Sequence, residues 1–148
     1  MMQDRQIIIT RLIAAPPAKV WQCWTDPAIL PRWFGPQGYT CQTKEIDLRQ
    51  GGLWRFDMIG PEGKVWANRH RYTRMEPVHL IEYLLDDDTD DESPMEAVVV
   101  LVPESGGVRI TQTMTLPTVQ ARDAALGFGA DVLGQTTFAK LDAMAASL

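Results

Sequence analysis

The chain has 148 residues, 45% hydrophobic and 22% charged, with 14 Lys and Arg against 19 Asp and Glu for a net charge of −5; that is the composition of one ordinary globular domain, 1–148, and short for two. Six of the acids fall between Asp86 and Glu92, so the remainder is near neutral, and without a broad basic surface general nucleic-acid binding is not expected. No apolar run approaches a membrane span, no charged-then-apolar leader opens the chain, and Cys23 and Cys41 lack CxxC spacing, which together predict a cytoplasmic protein with two buried, reduced thiols.

Arg5 to Ile13 reads as a strand, β-branched and apolar on both faces, and so covered on both sides for part of its length. Ala15-Pro16-Pro17 stops it, and proline suits the first turn of the helix that follows, Ala18 to Trp24. Asp26 can cap a second short helix with Pro27 in its first turn, Ala28 to Phe34, ended by Gly35-Pro36. From Thr40 to Leu116 the period is two. Strands are expected at Thr40 to Leu48, Leu53 to Ile59, Lys64 to Met75, His79 to Leu85, Met95 to Val102 and Val108 to Leu116. Gln50-Gly51-Gly52, Gly60 to Gly63, Glu76-Pro77 and Pro103 to Gly107 supply the turns. The acidic stretch after Leu85 is expected to be a solvated loop, because like charges in series repel. From Pro117 a helix of about 30 residues, spanning roughly 45 Å, carries an apolar stripe through Leu126, Leu133, Thr137, Leu141 and Met144. Gly127, Gly129 and Gly134 interrupt it, each costing about 1 kcal/mol relative to alanine. They signal either a break or a close approach.

One strand, two short helices, about six sequential strands and a terminal helix describe an α+β architecture. A twisted antiparallel sheet of this kind curves around the one helix that covers it, leaves its other face wet, and can enclose a cavity.

Pro17-Ala18-Lys19-Val20-Trp21, Trp24-Thr25-Asp26-Pro27 and Leu30 with Arg32-Trp33-Phe34-Gly35-Pro36 resemble the Hsp90-ATPase-activator-homologue-like (AHSA1-like) branch of the START/Bet v 1-like (SRPBCC) superfamily. Asp47-Leu48-Arg49 with Gly51-Gly52, Phe56 to Gly63, and Glu76-Pro77 with Leu80 extend the likeness. The resemblance covers nearly the whole chain and is strongest over 12–63. It implies a helix-grip fold: about seven antiparallel strands wrapped around the C-terminal helix, with an interior cavity. It does not imply one activity, since relatives bind lipids and hormones, cyclise polyketides or regulate a chaperone. The sequence departs from the pattern in lacking a Gly-Trp near the terminal helix, in Asn68-Arg69-His70-Arg71, and in its acidic loop.

Metal, nucleotide and nucleophile signatures are missing. His70 and His79 stand on adjacent strands without HExxH spacing, and the acidic stretch lacks the EF-hand order. Gly51-Gly52 has no P-loop lysine, and neither Ser93 nor Ser105 sits in a nucleophile elbow. No metal and no cofactor are expected. His70 and Tyr72 share a strand face; in an apolar chamber they would orient a ligand or shuttle a proton, with shifted pKa values. Arg69 and Arg71 point the other way, to solvent or to the acidic loop. The cavity would be lined by Trp54, Phe56 and Met58, by Trp66, His70 and Tyr72, and by Tyr83, Gln112 and Met114. Trp33 and Phe34 would either form its mouth or plug the core. The expected function is binding of a hydrophobic small molecule by a monomer or homodimer. Alternatives are regulation of an Hsp90-type chaperone ATPase, which rests on family likeness, and a cyclase- or hydrolase-like enzyme using His70 and Tyr72.

Overall fold

In the computed structural model, which describes residues 2–90 and 93–148, seven strands form one antiparallel sheet. The order along the chain is β1 (Gln6–Ile13), α1 (Pro17–Thr25), α2 (Leu30–Trp33), β2 (Thr40–Asp47), β3 (Leu53–Ile59), β4 (Val65–Glu76), β5 (Leu80–Asp86), β6 (Met95–Glu104), β7 (Gly107–Thr115), α3 (Val119–Gly127) and α4 (Ala130–Ala146). Across the sheet it is β1-β7-β6-β5-β4-β3-β2. β2 to β7 therefore form a meander, and α1 and α2 carry the chain from β1 to the opposite edge. This is the helix-grip arrangement, with the strands placed within a residue or two of their expected bounds.

Two irregularities bend the sheet. The register shifts between Thr43 and Glu45 on β2, and between Tyr72 and Arg74 on β4. An extra residue on one strand increases the local right-handed twist, so this half of the sheet curls toward α4. The concave face carries Trp54, Phe56, Tyr83, Val99 and Ile110, all buried, and from the helix Phe138 and Leu141 pack into it.

The terminal helix is two helices. Thr118 caps α3, its Oγ1 accepting from the Ala121 N–H at 3.0 Å, and the break falls at Gly129, whose φ of +81° is left-handed. An L residue with a side chain rarely adopts that conformation, and glycine adopts it readily. Gly134 serves a different purpose: a Cβ there would stand 1.9 Å from Ile9 Cδ1, so its absence lets α4 lie directly on β1.

Two further expectations change. The convex face of β1 is not covered; Ile8 is 59% exposed and Leu12 37%. The acidic stretch is not a free solvated loop over its described part, Asp86 to Asp90; Asp91 and Glu92 lie outside the described residues. Arg55 on β3 and Arg69 on β4 are direct neighbours in register, a like-charge pair that would repel. Arg55 holds both carboxylate oxygens of Asp88, at 2.9 and 3.0 Å. Arg69 holds Asp86 through two bonds, at 2.9 and 2.7 Å, and Asp90 at 2.8 Å. Arg71 adds a bond to Asp86 at 2.9 Å. Alternate aspartates thus neutralise a row of arginines. Among the described residues no helix is long and apolar enough to cross a membrane, and no three metal-capable side chains cluster.

Candidate functional site

The α1–α2 end of the molecule is packed solid. Trp24 and Trp33 meet edge to face with centroids 4.9 Å apart, and Trp33 Nε1 donates to Cys23 O at 2.9 Å. Phe34, just past α2, reaches over the sheet to Trp54, Phe56 and His70 at 5.4, 6.0 and 5.1 Å. Trp54 and Phe56 stack at 3.7 Å, and Trp54 Nε1 donates to Thr43 Oγ1. Trp33 is therefore part of the plug, whereas Phe34 closes the plug on one side and lines a cavity on the other.

Beyond Phe34 the sheet parts from the helical layer and leaves two adjoining cavities. The inner one, about 250 Å³, lies between the sheet and α4; Phe34, Met58, His70, Tyr83, Gln112 and Met114 all line it. The outer one, about 550 Å³, is walled by Tyr39, Trp66, Leu85, Asp87 and Met95, and by Ala121 of α3. Pro36, Met58, Asn68 and Leu85 line both, so the two lie side by side. Of the residues expected in the cavity, Trp33, Trp54, Phe56 and Tyr72 line neither. Asn68, Leu85 and Tyr39 were not anticipated. Asn68 had a signal, since it shares the strand face of His70 two residues on; Tyr39 sits in a loop where periodicity says nothing.

His70 is the polar centre. It is 1% exposed, and its Nε2 has no hydrogen-bond partner among the described residues. Burial pushes its pKa down to about 3, with the Asp86 charge pulling weakly the other way, so at neutral pH the ring is uncharged. Its ring stacks on Tyr83 with centroids 4.3 Å apart, while Tyr72 stands edge-on at 6.3 Å. Burial raises the pKa of both phenols, so both stay protonated. The Tyr83 hydroxyl accepts from Gln112 Nε2 at 3.5 Å. Imidazole and phenol are thus uncharged hydrogen-bonding groups in the wall of an apolar chamber. A base whose conjugate acid has a pKa near 3 is a poor proton acceptor at neutral pH.

The walls are held from behind. Lys140 of α4 donates to the carbonyls of Gly35 at 3.0 Å and of Pro36 and Tyr39 at 3.4 Å, fixing the loop shared by both cavities. Burial holds its ammonium below the usual lysine range. Cys41, half-buried below the same loop, donates to Phe34 O, and burial raises its thiol to about 12, against the nearby Lys140 charge. Cys23 is fully buried, and both thiols are free. On the opposite wall, burial alone would raise the Asp86 carboxyl. Hydrogen bonds from the Arg69 guanidinium and the Asp88 backbone N–H, with the Arg69 and Arg71 charges, hold it below the usual range instead. The arginine row thereby fixes the end of β5, and with it Leu85 and Asp87, against the outer cavity.

A curved seven-stranded sheet gripping a C-terminal helix, with a cavity between them, defines a helix-grip protein of the START/Bet v 1-like class. The family model "Activator of Hsp90 ATPase homolog 1-like protein" matches residues 14–146, and the chain belongs to that family. Among solved structures it is similar to protein Ms6760 of Mycobacterium smegmatis, with 26% identity over 99% of this chain and 94% of that one, at a TM-score of 0.87. A protein of Rhodobacter sphaeroides is 27% identical over 98% and 95%, at 0.85. The AHSA1 protein of Silicibacter pomeroyi, 20% identical over 95% and 97% at 0.76, shares the fold. No curated protein sequence matches the chain.

Proposed function

We propose that this protein binds a small apolar molecule between the sheet and α4, with His70 as the anchor for one uncharged hydrogen-bonding group. The observation that carries this reading is the unpartnered Nε2 of an almost fully buried His70 beside an empty apolar volume. A buried polar atom without a partner costs about 1–3 kcal/mol, and a ligand hydroxyl or carbonyl in the inner cavity would relieve that cost. The surroundings fit: apolar walls with a few convergent polar groups are the usual make-up of a small-molecule site. Two methionines, Met58 and Met114, give walls that adapt to shape. Chaperone regulation rests on the family's description alone. Cyclase- or hydrolase-like catalysis has no feature in the cavity that favours it.

Displacement of the neutral reporter N-phenyl-naphthylamine tests the reading with two probes, para-butylphenol and butylbenzene. The phenol should bind about fivefold tighter, the value of one net hydrogen bond of ~1 kcal/mol. His70→Phe should abolish that difference and Tyr72→Phe should leave it. Equal affinities in the wild-type protein would contradict the anchor.

A further inference from the structure

From the charge distribution around the two cavities we infer that the ligand is an apolar amine, its uncharged end on His70 and its ammonium in the outer cavity between the Tyr39–Trp66 pair and Asp87. This rests on the proposed function, since it presumes that a ligand occupies the inner cavity.

Neither lining contains a lysine or an arginine. A carboxylate drawn into the inner chamber would meet a neutral imidazole, a phenol and a carboxamide, and burial of an unpaired anion is costly. Fatty and aromatic acids are thereby disfavoured in the inner chamber. The outer cavity is bordered by two carboxylates, Asp86 and Asp87. Asp86 is occupied by Arg69 and Arg71. Asp87 differs: its Oδ1 accepts from the Thr89 N–H and hydroxyl at 3.2 and 2.6 Å, and no ion pair to it is seen among the described residues. Asp87 is itself exposed and stands at the rim of a cavity walled by aromatic rings. Tyr39 and Trp66 stand 5.8 Å apart with planes tilted by 41°, and Trp66 is 39% exposed. Aromatic faces attract ammonium groups, Trp most of all. Lys64 Nζ stands 4.9 Å from the Trp66 ring centroid, so an incoming ammonium would have to displace it from that indole or use the Tyr39 side of the pair.

The second, independent sign of a ligand is the unpartnered His70 Nε2 in the adjoining cavity. Pro36, Met58, Asn68 and Leu85 belong to both linings, so an elongated molecule passing between these four side chains would touch His70 at one end and the aromatic pair at the other.

Tyramine, tyrosol and para-hydroxyphenylacetate share a phenol and differ only in carrying an amine, an alcohol or a carboxylate. Their displacement of N-phenyl-naphthylamine, followed with wild type, Asp87→Asn and His70→Phe, separates the outcomes. The expected order is tyramine, then tyrosol, then the acid, with tyramine roughly tenfold tighter than the acid. Asp87→Asn, whose amide oxygen can still accept from Thr89, should remove the gap between tyramine and tyrosol. His70→Phe should weaken tyramine and tyrosol alike. Equal binding of tyramine and tyrosol, insensitive to Asp87→Asn but still weakened by His70→Phe, would overturn the amine assignment and leave the cavity reading standing. Tightest binding by the acid would also overturn the amine assignment. Binding of none of the three, or indifference to His70→Phe, would overturn both.

Discussion

The two ends of the helical layer use the same sheet differently. At the α1–α2 end, Trp24, Leu30 and Trp33 are buried to within 1% and Phe34 bridges them to β3 and β4. At the α3 end no helix residue is fully buried, Phe128 at the break is 84% exposed, and the space under Ala121 is an open cavity. The difference follows from side-chain volume. Large rings in edge-to-face contact fill the gap between sheet and helix, whereas the alanines of α3 leave it open. His70 sits at the boundary, touched by Phe34 from the packed side and facing the inner cavity on the other.

The sharpest way to break that contrast is Trp33→Ala. It removes a fully buried ring and its hydrogen bond to Cys23, and should destabilise the protein by about 3–5 kcal/mol in urea unfolding; a loss under 1 kcal/mol would mean the plug is not close-packed.

Acid probes the boundary residue. The folded pKa of His70 is about 3 against a reference of 6.5, so between those values the unfolded chain binds a proton that the folded protein refuses. Its contribution is fully present above the unfolded pKa and is lost as pH falls toward the folded one, with a slope approaching ~1.4 kcal/mol per pH unit. Stability curves at several pH values should show that slope in the wild type and lose most of it in His70→Phe. Near pH 4 and below, Asp86 and Asp88, both held below their usual values, add a loss of the same sign.

Two glycines in the terminal helices separate packing from propensity. Gly134→Ala should stabilise less than its helix propensity alone predicts, because its methyl would push aside Ile9 Cδ1, the far end of a side chain that borders the inner cavity. Gly127→Ala, with nothing within 4 Å of the added methyl, should stabilise by about 0.5–1 kcal/mol. Thermal melts of the pair should show Gly127→Ala gaining more than Gly134→Ala.

The strands were legible because each carries a period-two pattern between strong turn signals, and the three glycines announced both the helix break and the close approach. The cavity was only partly legible. Tyr72 and Tyr83 both sit on the concave face, directly paired across β4 and β5, and nothing in the alternation tells which of the two borders an empty volume. That depends on where the sheet curls, at a bulge the pattern does not reveal. Phe34 lines the site because the chain turns out of α2 and lays its ring over β3 and β4, a tertiary fact. The acidic stretch read as repulsive because its charges are adjacent in sequence; the Arg55 and Arg69 that neutralise them are adjacent only in the sheet.

Nitrogen NMR of the imidazoles tests the central claim most directly, because the protein has 2 histidines and His79 is exposed. With para-butylphenol added at neutral pH, the Nε2 resonance of His70 should shift as its missing hydrogen bond forms, while His79 stays in place. Saturable binding of the probe with His70 unmoved would contradict the account and place the ligand elsewhere.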